Sequence, residues 1–252
     1  MGGCWFEDMK STERHRLKEN EVASTVVRLT ETYEANKQQI MIIATAVVVI
    51  AVAVVGYVMW RNQANTQAAA MLADAMTAAR AQVAVPPAAG ATTPPSAPAG
   101  SYPTEKARDE AALAKFTAVA SAYPSADAGI TARYHAAATL MALGRYPEAQ
   151  QRYQEVVDAA GTSVYGQMAK LGKANADAAA GRFDAAIAVY RELANDKEGP
   201  LPVDGVLMQL DRACDAAGKA ADARQAFKRI VDEFPMSPYS AEAKKALDQI
   251  KG

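Results

Sequence analysis

Cysteine and histidine are nearly absent from this chain: in 252 residues there are Cys4, Cys214, His15 and His135. None of the four belongs to a CxxC or HExxH pattern, so the chain has no recognisable zinc site, and no metal or other cofactor is expected. Missing too are the Gly-x-Ser-x-Gly elbow and the phosphate loop ending in Gly-Lys-Ser, and with them any nucleophile or phosphate cradle that sequence can reveal. No catalytic, cofactor-binding or metal-binding residue is therefore assigned, and an enzyme is the least favoured class. A basic excess is lacking as well: net charge is −1, and residues after 104 carry 19 Lys plus Arg against 20 Asp plus Glu. That surface offers no footprint for nucleic acid. Aromatic residues make up only 7%, while alanine abounds, which favours helices and leaves little expectation of strand.

One long stretch lacks charge altogether. Ile40 to Trp60, IMIIATAVVVIAVAVVGYVMW, holds 21 uncharged residues, and at about 1.5 Å per residue a helix of that length crosses the roughly 30 Å hydrocarbon layer. Because 39 residues precede it, it is too far from the start for a cleaved signal sequence, and no Ala-x-Ala site follows cleanly. Tyr57, Trp60 and Arg61 suit the interfacial belt. The expectation is one permanent span, 40–60, with Cys4 and Cys214 on opposite sides and unable to pair. MGGCWF carries no complete acylation signal, so Cys4 reads as an ordinary free cysteine.

The flanks give the remaining organisation. Residues 1–39 form a charged tail in which Val22, Val26, Leu29 and Tyr33 fall at helical spacing, predicting an amphipathic helix over Glu19 to Lys37. This tail has six Lys or Arg, whereas only Arg61 and Arg80 lie between the span and residue 104, an imbalance that favours a cytoplasmic amino terminus. Residues 61–85, with Met71, Leu72, Ala75, Met76 and Ala79, are expected to continue the helix as a stalk. Residues 86–103 contain six prolines and no charge, predicting a semi-extended linker before a domain over 104–252.

That last domain repeats itself. GRYPEAQQRYQEV at Gly144, GRFDAAIAVYREL at Gly181 and GKAADARQAFKRI at Gly218 are spaced 37 residues apart. Tyr146 and Phe183 correspond, as do Ala149, Ala186 and Ala223, then Tyr153, Tyr190 and Phe227. One period earlier the register lands on Phe116, and Tyr123-Pro124 matches Phe234-Pro235 three periods on. Glycine ends one helix, alanine lets two helices approach, and the aromatic ring fills the space between pairs. Helices are predicted over 104–122, 127–143, 147–160, 163–180, 184–195, 203–217, 220–234 and 240–251, the last a cap built on Ala243, Leu247 and Ile250. His135, alone on a helix, reads as packed or capping. Asp211 and Asp215, one turn apart and in reach of Arg212 or Lys219, read as a solvated helix face.

This pattern resembles the tetratricopeptide repeat, with a period of 37 rather than about 34. The first helices keep a small residue at Ala137 and Ala174 but not at Asp211. With its layout of tail, span and repeat domain, the chain is similar to a bacterial inner-membrane family that includes the ancillary subunit of the Sec translocon and is related to a cell-division coordinator. The resemblance implies an all-α fold, one transmembrane helix followed by a tetratricopeptide-like α-solenoid of antiparallel helix pairs. It also implies a periplasmic repeat domain that binds proteins, whether translocon subunits, secreted chains or periplasmic chaperones. An envelope scaffold for cell-wall or cell-division machinery is the alternative. By the same resemblance Tyr134, Met141, Met168, Asn175, Met208 and Arg212 line a partner groove, although Met and Tyr at helical spacing serve equally as core.

Overall fold

The computed structural model describes residues 6–84 and 100–249, with side chains from residue 37 onward. Within them the chain is all-α: α1 (Phe6–Ala79), α2 (Glu105–Ala122), α3 (Asp127–Ala142), α4 (Tyr146–Ala160), α5 (Val164–Ala179), α6 (Phe183–Asn195), α7 (Val203–Ala216), α8 (Ala220–Glu233) and α9 (Ser240–Gln249). Val83 and Tyr102 form one isolated parallel bridge. The chain divides into two compact units, Met1–Asn62 and Gln63–Gly252.

In the first unit, α1 carries the apolar stretch expected as a span. Among the described residues α1 is the one helix long and apolar enough to cross a membrane, and none of its apolar window is buried in the protein. Residues such as Ile42, Val49, Ile50 and Val52 stand more than 60% exposed, an arrangement water would penalise by about 25 cal/mol per Å² of apolar surface and lipid would not. Thr45, the only aliphatic hydroxyl in the stretch, donates to the Met41 carbonyl at 2.8 Å and so leaves no free donor toward lipid. The Tyr57 and Trp60 ring centres lie 6.2 Å apart at the end of the run. Cys4 and the side chains of Val22, Val26, Leu29 and Tyr33 lie outside the described residues.

The second unit begins earlier than the sequence suggests. Leu72, Ala75, Met76 and Ala79, expected on a stalk, pack against Ala112, Phe116, Val119 and Ala120 of α2. Lys115 Nζ donates to Asp74 Oδ2 at 2.5 Å, and Tyr123 Oη to Gln67 Oε1 at 3.3 Å. The cause is the apolar face of α2, a second-type helix with no first helix of its own until the end of α1 supplies one. The proline-rich segment, of which residues 85–99 lie outside those described, leaves and returns at one place. Ala84 N donates to Tyr102 O at 2.8 Å, and Tyr102 N to Gln82 O at 2.9 Å. The described residues on the segment's two sides are thus held together within the second unit.

From α2 onward the 37-residue register becomes geometry. Phe116, Tyr153, Tyr190 and Phe227 are 1%, 4%, 1% and 7% exposed, and beside them Ala112, Ala149, Ala186 and Ala223 are buried. Gly144, Gly181 and Gly218 take φ of 73°, 77° and 71°, the left-handed conformation that ends a helix most cheaply without a Cβ. After each glycine the next amide reaches back five residues: Arg145 N to Leu140 O at 2.9 Å, Arg182 N to Asp177 O and Lys219 N to Cys214 O, both at 2.8 Å. Each glycine's own amide donates three residues back, to Met141 O and Ala178 O at 3.0 Å and Asp215 O at 2.9 Å, and the two bonds together make the Schellman motif. Tyr123 and Phe234, each before a proline, end α2 and α8 with matching dihedrals, φ −132°, ψ 60° and φ −131°, ψ 57°. The cap helix α9 buries Ala243 and half-buries Leu247 against the last core cluster; Ile250 lies outside the described residues.

Two expectations follow. A Cβ on Gly172 of α5 would stand 2.5 Å from the buried Tyr153 ring, whereas one on Gly205 of α7 would meet nothing nearer than 3.7 Å. Gly172→Ala should therefore destabilise the protein by about 1–3 kcal/mol through overpacking, and Gly205→Ala should be neutral or stabilise by up to about 1 kcal/mol. Thermal unfolding followed by circular dichroism reads both signs. Replacing residues 86–98 by a short Gly-Ser turn should leave the melting temperature within a few degrees of wild type, since the backbone bridge at 83–102 already holds the ends and a shorter loop costs slightly less to close.

Candidate functional site

A concave face follows from which helices touch. The backbones of the first helices of successive pairs approach one another, α3 with α5 and α5 with α7, while second helices reach one another through long side chains, as Arg191 of α6 does to Asp222 of α8 at 2.8 Å. Closer spacing along one layer than the other bends the stack with the first helices inside.

At the start of this face lies a run of rings. His135 stacks on Phe116 with centres 5.3 Å apart and planes at 21°; Tyr134 meets His135, Tyr153 and Tyr165 edge-on at 5.6, 5.7 and 5.9 Å. Centre distances and tilts of this order are the favourable arrangement for aromatic pairs. Tyr165 and its neighbour Val164 remain 38% and 55% exposed in the first turn of α5, which Ser163 caps by accepting from Gly166 N at 3.3 Å. Burial, with Arg80 second, lowers the His135 pKa from the ordinary 6.5, which favours the neutral imidazole at pH 7. Burial, with Tyr165 second, raises that of Tyr134. Burial also raises those of Tyr153 and Tyr190. The rings themselves thus form a neutral aromatic surface, with Arg80 near enough to act on His135.

The residues expected to line a groove separate. Tyr134 and Met141 are half-buried and pack on one cluster with Leu140, Tyr153 and Val156. Met168 is half-buried on α5. Asn175 Oδ1 accepts the Tyr190 hydroxyl at 2.7 Å and so serves the helix pair itself. Met208 is 1% exposed, inside the last core cluster, and has no surface to offer a partner; the groove assignment for it is corrected. Arg212 is exposed and faces Glu242 of α9 at 3.9 Å.

Sequence reasoning missed Tyr165, Val164 and two buried acids. Asp177 on α5 is satisfied, its Oδ1 accepting Gln150 Nε2 and Arg182 Nε, both at 2.8 Å. Asp211, read from sequence as solvated, is 4% exposed, and its Oδ1 has no hydrogen-bond partner. Lys219, the expected neighbour, pairs with Asp184 at 2.6 Å instead. The register held the missing signal, because Asp211 aligns with Ala137 and Ala174, both fully buried. Among the described residues no three His, Cys, Asp or Glu come together as a metal site needs. The Cys214 thiol is buried, and its pKa is raised by that burial and then by Asp222, which makes it a weak nucleophile.

No protein-family model matches the chain, and no curated protein is similar to it. Solved structures similar to it include the nearly identical TPR-like repeats attributed to a kinesin light chain of Podosopora anserina. A point variant of those repeats matches at 17% identity and TM-score 0.47, covering 57% of this chain and 85% of that one. A second structure of the repeats matches at 16% and 0.47, covering 57% and 86%. These likenesses concern the helical repeat only.

The His135 geometry makes a solution prediction. Its NMR titration midpoint should lie below 6.5, and Arg80→Ala should move it upward by removing the neighbouring cation. Since His135 in the folded chain binds its proton later than in the unfolded one, stability should fall as pH drops below about 6.5. A midpoint at or above 6.5 would contradict the stacked, half-buried placement.

Proposed function

We propose that this is a membrane-anchored protein-binding module whose repeat domain faces the extracytoplasmic side of a bacterial inner membrane. There it meets secreted chains or their chaperones as an accessory to the translocon. The observation that carries the binding role is the uncharged patch of Tyr134, Tyr165 and Val164 on the inner layer of first helices. Such a layer offers an extended surface rather than one enclosed pocket, and rigid aromatic rings bind at low entropic cost. The anchoring role is supported by the exposed apolar length of α1. The side of the membrane rests on the six Lys or Arg before the span. Met168 and the half-buried Met141 add adaptable apolar surface for varied sequences.

The test uses a photo-crosslinking amino acid at position 165 in the full-length protein in living bacteria, with position 224 on α8 as control. Crosslinks at 165, absent at 224, to translocon subunits, secreted precursors or periplasmic chaperones are expected. Crosslinks confined to cell-wall or division proteins, together with midcell localisation, would replace the translocon reading by the envelope-scaffold one. No specific partner at 165 would remove the binding role from this face. Ser125→Cys, in the α2–α3 turn, should react with a membrane-impermeant thiol reagent in intact spheroplasts, and protection there would reverse the topology.

A further inference from the structure

Asp211 sits where a solenoid of this kind has no place for a carboxylate. Its register partners Ala137 and Ala174 are fully buried, its own exposure is 4%, and its Oδ1 is the one buried side-chain oxygen without a hydrogen bond among the described residues. The charges acting on it are Asp215 and Arg212 of α7 and Glu242 of α9. Arg212, the cation among them, also faces Glu242 at 3.9 Å, and burial and Asp215 outweigh it at the buried oxygen. No cation other than Arg212 is among the groups that shift this carboxyl. Arg191 of α6 pairs with Asp222 of α8, and Lys219 with Asp184. Lys170 of α5 pairs with Glu192, and Lys173 donates to Gln154.

We infer that Asp211 is a protonation-controlled latch on the carboxy-terminal end of the solenoid. With the carboxyl neutral, α7, α8 and the cap α9 stay closed; with it ionised, a buried charge facing Asp215 and Glu242 favours their opening. Burial, then Asp215, pushes the carboxyl up to about 7 from an ordinary 3.8. A raised acid fixes the sign. Between those values the folded chain holds a proton the opened chain has lost, so the closed end weakens as pH rises toward 7. Above that the loss is complete. The device thus ties the inner surface that α7 contributes to the pH outside the membrane.

Hydrogen exchange of the full-length protein in detergent or nanodiscs, corrected for intrinsic rates, tests it at pH 5.5 and 8.0. Peptides from α7 to α9 should exchange roughly tenfold or more faster at the higher pH through opening, while peptides from α4 should not. Asp211→Ala, the residue its register partners carry, should remove the difference. Glu242→Gln should move the transition to lower pH, since Glu242 raises the Asp211 carboxyl. An Asp211→Ala protein that keeps the pH response, or wild-type α7–α9 protection equal at both values, would overturn the latch. His135, whose effect runs in the opposite direction with pH, lies on α3 and is read by separate peptides.

Discussion

Four aromatic rings, Phe116, Tyr153, Tyr190 and Phe227, hold this repeat domain in register. Each is a wedge from a second helix, at most 7% exposed, and truncating such a ring to alanine typically costs about 3–5 kcal/mol. Against a total stability of about 5–15 kcal/mol, one ring is a large fraction. An exposed pair linking neighbouring helices, such as Lys170 with Glu192, contributes about 0–1 kcal/mol. Burial therefore sets the stack and charge only trims it. Other features serve the wedge: alanine one turn before each ring, Asn175 accepting the Tyr190 hydroxyl, and Gly172 making way for Tyr153.

Repetition is what makes this much visible in a single sequence. A glycine, a small residue and a ring recurring at 37 residues reinforce one another, so helix ends from 104 onward could be read to within a residue or two, whereas the buried positions of the first helices, Met208 and Asp211, could not. The end of α1 could not be read this way. Tyr57, Trp60 and Arg61 mark the end of the apolar stretch, but nothing between Trp60 and Ala79 breaks the helix, so sequence gives no mark where the first partner of α2 begins. Only the unpaired face of α2 demands that partner.

The candidate surface was less legible, for a reason of helical angle. Tyr134, Leu171 and Met208 share one register row, yet Tyr134 and Leu171 are half-buried and Met208 is sealed. Asn175 and Arg212 share another row, one serving the adjacent helix and the other reaching to the cap. A row names a direction on the helix, whereas exposure depends on what the neighbouring pair places against it. Tyr165 lay outside both rows because it belongs to the first turn of α5, where the chain enters from Gly161 and the repeat pattern is weakest.

Comparing the two buried acids shows why position along the stack matters. Asp177, in the middle, receives an amide from α4 and a guanidinium from the turn before α6, groups that only a continuing series of helix pairs can bring. Asp211 stands in the last pair, where the following element is the short α9 and Arg212, the cation acting on it, also faces Glu242. A solenoid's stability is nearly a sum over neighbouring interfaces. A mid-stack perturbation is resisted from both sides, and a terminal one from one side and a cap. An unsatisfied carboxylate is thus poorly tolerated in the interior of the series, while at its end the same group has leverage over whether the final pair stays closed.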